Sequence, residues 1–575
     1  MKYPEIRDNN FYEKITRLFK EYKTPARKKT FEEICFPKTF KLQLPQLFVS
    51  HFINPDTPYK GLLVYHQIGS GKSITAIRVA EEWKHYKRII VLVPASLKGN
   101  FRGELRTPAT GNEYLKPDER KKLNVLHPSD PEYIKIIKKS DERIDQYYTI
   151  YSYNKYNKLA LDGKINLKNT LLIIDEIQNM VSEGGSFYQT LYDQIQNAPS
   201  DLRIILLSAT PMFDKPQEIA LTMNLLRLPK ELPIGNNFNK NFISIKRTVN
   251  GKYNFHIKNV DLFKSYIKGY VSYFRGAPNY VFPETKIKYV KCEMSDFQFN
   301  SYMSVIRNEE KSNDMSRVKL NLAKELSVKD LPNNFFIGTR IVSNVVFPNK
   351  KINEAGFNSF KDTYITEKLD IYSAKFYKMV KKIKKAQKIF IYSGFKGYGG
   401  IKSLVRVLET FGYKNYLKHG EGKKRYALWT GDESIKLKNE IKAVYNQKNN
   451  LDGSKLKIII SSPSGKEGLS LFGVRQLHIL EPYWNNARIA QVLGRGSRFC
   501  SHKDLPEEER YLNVYVYIAT YQDVETVDLY INYLAKQKQK LVSEFERCIK
   551  EAAVDCELNY YANVYEGDEP IKCDK

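Results

Sequence analysis

Five consecutive residues, Gly69-Ser70-Gly71-Lys72-Ser73, have the types and spacing that suit the handling of phosphate. They sit between an apolar burst, GLLVYH (61–66), and a helix-like stretch that opens SITAI. Small residues at such a junction let the backbone curl so that several N–H groups converge at a helix N-terminus, which favours an anionic oxygen cluster. Lys72 then reaches the outer phosphates as a point charge, and the Ser73 hydroxyl is suited to ligate a magnesium ion bridging them. The pattern G-x-x-x-x-G-K-[ST] is met except at its first glycine, where His66 stands. The bland alternative is a glycine-rich turn beside an exposed lysine, and residues further along the chain must decide.

Asp175-Glu176 follows the apolar run LLII and so stands at a strand's carboxyl end. There the first carboxylate can hold magnesium while the second orients and deprotonates an attacking water. A helix N-terminus enriched in acids is the alternative. The next burst ends in LLSATPM (206–212), where the Ser208 and Thr210 hydroxyls are suited to link a nucleotide site to the rest of the molecule. Far downstream, Gln491, Gly494, Arg495 and Arg498 follow Q-x-x-G-R-x-x-R and are expected on one helical face. Arginines so placed can neutralise charge that develops on a γ-phosphate; otherwise they mark an exposed basic helix. The turn SSPSGKEGLS (461–470), with Lys466 and Glu467, offers backbone donors and a charged pair after another buried strand.

These residues need a frame that brings strand ends together. The bursts GLLVYH, RIIVLVPA, YYTIYSY, TLLIIDE and RIILLSAT fill residues 61–210 and alternate with helix-like stretches. Continuous apolar strands are covered on both faces, and the alternation predicts an α/β fold with a parallel sheet and ligands beyond its carboxyl ends. KIFIYSG, RYALWTG, KLKIIISS, RQLHILEP and LNVYVYIAT predict a second α/β lobe. Residues 230–370 break the alternation and read as an insertion and linker, with helices expected near 296–326. Both ends of the chain look helical and charged.

At 575 residues the chain exceeds one hydrophobic core. No apolar run spans a bilayer, and the N-terminus lacks the apolar core of a secretory signal, so neither a membrane nor export is expected. Six scattered cysteines without C-x-x-C spacing are expected to be free thiols. Lys and Arg total 93 against 64 acidic residues, and the net charge of +29 is spread along the chain. That balance points to a polyanionic partner, with tracts such as KMVKKIKKAQK suited to phosphate backbones.

Taken in order, these motifs resemble the superfamily-two ATPases, nucleic-acid motors built from two RecA-like lobes. The resemblance covers roughly residues 40–520 and runs through Gln46 in LQLPQLF, HQIGSGKS, VPASLKGNF, DEIQ, SAT, SSPSGKEGLSL and QVLGRGSR. FRGAPNYVFPETKIKYVKCEMSDFQFNSY (274–302) and TRIVSNVVFP look like the passage between lobes in Snf2-like translocases. The stretch from ILEPYW to PEEER resembles the poxvirus and giant-virus branch, which includes nucleoside triphosphate phosphohydrolase I and the small subunit of the early transcription factor. The resemblance implies an N-terminal extension (1–40), a first lobe (41–229), the insertion and linker (230–370), a second lobe (371–525) and a helical tail (526–575). It implies ATP and Mg2+ as ligands, with Gln46 at the adenine and His66, Gln67, Ile68, Gly69, Ser70, Gly71, Lys72 and Ser73 around the phosphates. Ser73 and Asp175 would hold the metal; Glu176, Gln491, Arg495 and Arg498 would serve hydrolysis. The implied activity is a DNA-dependent ATPase and translocase in viral early transcription, initiation or termination; the alternatives are an ATP-dependent RNA helicase and a non-catalytic nucleic-acid-binding transcription subunit. Viral RNA polymerase or another transcription-factor subunit is the implied partner, in the virion core and host cytoplasm. One departure is Gln178, where Snf2-like motors usually carry histidine.

Overall fold

The computed structural model describes residues 3–27, 29–126, 130–182, 184–247, 253–312, 336–463 and 469–575. They form two compact units, one of residues 1–278 with 540–575 and one of residues 279–539.

The first unit is built on a six-stranded sheet in the order β3-β2-β4-β5-β1-β8, parallel throughout. Its strands are β1 (Gly61–His66), β2 (Arg88–Val93), β3 (Tyr148–Ser152), β4 (Thr170–Ile174), β5 (Arg203–Ser208) and β8 (Val271–Phe274). A short antiparallel hairpin, β6 (Ile243–Arg247) with β7 (Tyr253–Ile257), stands apart from that sheet. Every residue of β1, β4 and β8 is buried, as strands covered on both faces require. Because β1 and β4 flank β5, their carboxyl ends deliver Gly69–Ser73 and Asp175-Glu176 to either side of Ser208.

The chain ends complete this unit. Phe11, Ile15 and Phe19 share a core with Phe48, Phe52, Val554 and Leu558. Tyr12 donates to the Ala552 carbonyl at 2.9 Å and Thr24 Oγ1 to the Leu558 carbonyl at 3.0 Å. Edge strand β8 would otherwise present bare backbone on its outer side. Val554 N–H donates to Val271 O at 2.8 Å, and Tyr273 N–H donates to Asp555 Oδ1 at 2.9 Å. Asn563 closes the rest, its Nδ2 donating to Tyr273 O at 3.1 Å and its Oδ1 accepting from Arg275 N–H at 2.8 Å. Lys264 pairs with both Glu551 and Asp574 at 2.7 Å. Cys556 and Cys573 form a disulfide, which corrects the expectation of six free thiols; Cys292 and Cys548 are free and buried. Residues 17 apart and outside any motif meet here only because the tail folds back on itself.

The second unit holds a seven-stranded parallel sheet in the order β11-β12-β13-β10-β14-β15-β9. The strands are β9 (Glu284–Glu293), β10 (Ile389–Tyr392), β11 (Lys414–Asn415), β12 (Arg425–Trp429), β13 (Ile458–Ser461), β14 (Gln476–Ile479) and β15 (Tyr511–Thr520). β9 runs beside β15 from Glu284↔Tyr511 to Glu293↔Thr520. Its residues are mostly exposed, and Lys286, Lys288 and Lys291 blunt an edge that an apolar strand would leave open to aggregation. The stretch expected as insertion and linker therefore supplies a strand to each sheet, β8 and β9. Of the helices expected near 296–326, Asp296–Ser312 is present and residues 313–326 lie outside the described residues. Lys375 and Asp528, both fully buried, pair at 2.7 Å inside this unit. Among the described residues no helix is long and apolar enough to cross a membrane.

Ending the chain after Ala553 removes every partner of the β8 edge named above. Each buried backbone group left unsatisfied costs about 1–3 kcal/mol. Thermal unfolding followed by calorimetry should show the first unit melting well below its full-length value, with soluble aggregate forming. An unchanged melt would mean that the tail does not seal this sheet.

Candidate active site

β1 stops where Gln67 N–H makes its bond to Phe274 O at 3.0 Å, and the chain turns at once through Ser70 N–H to Gln67 O at 3.1 Å. Gly69 (φ 83°) and Gly71 (φ 78°) both adopt the left-handed region that glycine enters without penalty. Gly71 also caps helix Lys72–Trp83, and a Cβ on it would lie 2.5 Å from Gln46 Nε2. The first intrahelical bond is Thr75 N–H to Gly71 O at 3.0 Å, so the Lys72, Ser73 and Ile74 amides have no intrahelical partner and can meet an anion. Ser70 is fully buried, with its hydroxyl lacking a hydrogen-bond partner. Gly276 packs against it, so close that a Cβ there would stand 3.1 Å from the Ser70 Cβ. Gln67, Ile68, Lys72 and Ser73 are half-buried around this hollow. A tight glycine turn that places the unpaired amides of a helix start beside Lys72 and Ser73 fits a nucleotide's phosphates.

Gln46, expected at the adenine, is 4% exposed and braces the loop. Its Nε2 donates to Ser70 O at 3.3 Å and Gly71 O at 3.4 Å, and its Oε1 accepts from Gln43 N–H at 2.9 Å. His66 lies in the core below. Burial, and then the nearby Lys72 charge, push its pKa down to about 3, so the ring is neutral. Its Nε2 meets Ser272 Oγ at 3.0 Å; Ser272 donates to Asp555 Oδ2 at 2.6 Å, and Asn559 donates to the same oxygen at 2.8 Å. Ser272, Asp555 and Asn559 support the loop from below, and no local motif announces them.

Lys72 Nζ stands 3.5 Å from Glu176 Oε1. Glu176 itself is left-handed (φ 54°), a conformation that non-glycine residues hold only where the surroundings enforce it. Tyr153 helps to do so by donating to the carbonyls of both Asp175 and Glu176. Glu176 N–H in turn donates to Asp175 Oδ1 at 3.0 Å. Asp175 is buried, and burial followed by the Glu176 charge raises its pKa to about 7, with Lys72 opposing. A divalent cation would relieve that strain on the carboxylate. Asp175 and the Ser73 hydroxyl are the residues that would hold Mg2+, which when bound neutralises charge on phosphate oxygens. Among the described residues no group of three or more His, Cys, Asp or Glu could hold a metal ion.

A hydrogen-bonded chain leaves this centre. Gln178 donates through Nε2 to Glu176 Oε2 and accepts through Oε1 from Ser208 Oγ at 2.7 Å; Ser208 Oγ also accepts from Thr210 N–H at 3.0 Å. The glutamine that departs from the Snf2-like pattern thus uses both ends of its amide, as donor and acceptor.

In the second unit Asn485 caps helix Asn486–Gly496 by accepting from Arg488 N–H at 3.0 Å. The helix closes at Ser497 N–H to Leu493 O, 2.8 Å, with Ser497 extended. Gln491 and Arg495 are therefore one turn apart on the helix, but Arg498 lies beyond its end, which corrects the expected single helical face. What unites the two arginines is the Leu469 carbonyl, which accepts from Arg495 at 3.4 Å and Arg498 at 3.2 Å. Lys466 and Glu467 lie outside the described residues.

Residues 51–219 match the DEAD/DEAH box helicase family. A protein of Acanthamoeba polyphaga mimivirus, named as an ATP-dependent RNA helicase, is 48% identical over 100% of this chain and 99% of its own length. The chain belongs to the superfamily-two DEAD/DEAH box helicases. A second mimivirus protein of the same kind of name is 28% identical, with 95% of this chain and 77% of its own covered. A termination factor NPH-I homolog of African swine fever virus is 27% identical, with 87% and 77% covered. This helicase is accordingly an ATP-hydrolysing enzyme, and its phosphate loop, acidic pair and Ser208 form a connected centre within one unit.

Gly71→Ala should abolish nucleotide binding, since its Cβ meets the Gln46 amide and its φ is left-handed. Titration with a fluorescent ATP analogue should show at least a hundredfold weaker affinity while circular dichroism stays native. Ordinary affinity in the folded variant would remove the loop from the site.

Proposed function

We propose that this helicase is a DNA-dependent ATPase and translocase that couples hydrolysis to movement along nucleic acid in viral transcription. The observation that carries the hydrolytic part is the chain Lys72–Glu176–Gln178–Ser208, which ties the phosphate loop to the strand end beyond it. In this reading Glu176 takes the proton from the attacking water, and Arg495 and Arg498 offset charge on the γ-phosphate, exchanging the Leu469 carbonyl for phosphate oxygens. The Snf2-like passages and the relative named as a termination factor support DNA and transcription. Viral RNA polymerase or another transcription-factor subunit is the partner of this reading, in the virion core and host cytoplasm. A second reading, an RNA helicase, is favoured by the name of the 48% identical relative.

Hydrolysis measured with no polymer, single-stranded DNA, duplex DNA and RNA separates the two. Stimulation by DNA without strand separation is expected; stimulation by RNA alone, with duplex unwinding, would establish the second reading. Glu176→Gln should bind ATP yet slow single-turnover hydrolysis by roughly a hundredfold or more, because an amide cannot take the proton. Wild-type turnover would assign the base elsewhere.

A further inference from the structure

Among the described residues, two arginines of the second unit have a buried Nε without a hydrogen-bond partner. Arg340, on helix Ile337–Asn344, is 4% exposed. It is stacked among rings, with its guanidinium carbon 5.1 Å from the centre of Phe395, 5.0 Å from Trp484 and 5.9 Å from Tyr483. Arg488, in the first turn of helix Asn486–Gly496, lies 4.0 Å over Tyr483. The Nε atoms of both are buried without a hydrogen-bond partner, and so is the hydroxyl of Tyr392, a residue 5% exposed. Burial lowers the pKa of Arg340, Glu481 and Asp528 oppose that shift, and the Arg488 charge adds to it. The nearby Glu481 attracts the Arg340 charge but makes no hydrogen bond to either guanidinium. Its oxygens accept from Ser393 (2.7 Å), Asn344 (2.6 Å) and Gly394 N–H (2.8 Å), and burial holds its carboxyl above the usual range. Aromatic faces give a cation some relief, but a guanidinium removed from water with no acceptor for its N–H groups is costly.

All three orphan groups line one pocket, with Gly394, Ile479, Glu481, Tyr483 and Ile489. It lies at the carboxyl ends of β10 and β14, the side of a parallel sheet where ligands bind. Its cavity of about 10 Å³ admits one oxygen-sized atom and no more. We propose that this pocket binds one phosphate group, with an oxygen entering between Arg340 and Arg488 and the Tyr392 hydroxyl as a third donor. Guanidinium forks match phosphate oxygens in geometry as well as charge, and the amino end of helix Asn486–Gly496 adds to the attraction. A phosphodiester of a nucleic-acid strand and a free phosphate present the same oxygen.

The test uses the full chain carrying Lys72→Ala, so that the phosphate loop does not contribute, without ATP. Inorganic phosphate and a labelled oligothymidylate are titrated separately and in competition at fixed ionic strength. Phosphate is expected to raise the melting temperature. Arg488→Gln should weaken its binding roughly tenfold, as loss of a charge-assisted hydrogen bond does. Arg488→Lys should restore part of the loss. Tyr392→Phe serves as a second, uncharged probe should Arg340→Gln fail to fold, and circular dichroism checks each variant. If the oligothymidylate weakens in parallel and phosphate displaces it, the phosphate belongs to a strand. If only phosphate binding falls, the site takes the free ion. Phosphate that neither stabilises nor binds, or binding unchanged in both Arg488→Gln and Tyr392→Phe, overturns the proposal.

Discussion

The bond from Gln67 N–H to Phe274 O decides where β1 ends, and most of the nucleotide centre depends on that point. One residue later and the two glycines would fall out of the hollow; one earlier and Lys72 would no longer open its helix. The bond is only as firm as β8, a four-residue strand at the sheet's edge. Asp555, Asn559 and Asn563 hold β8 from outside, while Ser272 and His66 carry the same support inward, under the loop. The left-handed Glu176 and the crowded Asp175 are local strains, and a rigid floor is what lets them persist.

The second unit solves a similar problem with buried charge. Lys375 pairs with Asp528 and also donates to Asn344 Oδ1 at 3.0 Å and Leu480 O at 3.1 Å, while Asn344 donates to Glu481. Helix, strand end and the start of the last long helix are thus joined by polar groups that satisfy one another. Such a network adds little net stability over apolar packing, but breaking one member leaves a charge stranded. Its value lies in fixing the carboxyl ends of β10 and β14 relative to helix Ile337–Asn344 and to the helix that carries Asp528.

What the sequence revealed follows the physics of each signal. Strands buried on both faces print themselves as uninterrupted apolar runs, so β1, β2, β4, β5, β10, β13 and β15 were legible, and with them the two parallel sheets. β9 was not, because an exposed edge strand spelled ETKIKYVKCE carries lysines where periodicity reading expects apolar residues. β8 is four residues long and sits in a lysine-rich stretch. The phosphate loop and the acidic pair were readable because chemistry restricts their residue types. Gln46 as a brace, the partners of His66, and the Leu469 carbonyl shared by Arg495 and Arg498 were not, for they arise from contacts between distant segments. Helical periodicity carried Arg498 past the helix, which stops at Gly496, a residue type that favours helix ends.

The closing of β8 by residues 554–563 also sets an order of events during synthesis. Tyr273 and Asp555 are 282 residues apart, so at ordinary rates of translation the outer edge of the first sheet waits on the order of tens of seconds for its cover. All of residues 279–539 leave the ribosome in that interval, and the second unit can finish folding while the first still shows a bare strand. A nascent chain in that state offers neighbours a template for pairing, and crowding on a polysome makes such encounters frequent. Production of the protein therefore depends on chaperone supply and on translation speed through its middle, in a way that the stability of the finished molecule does not disclose.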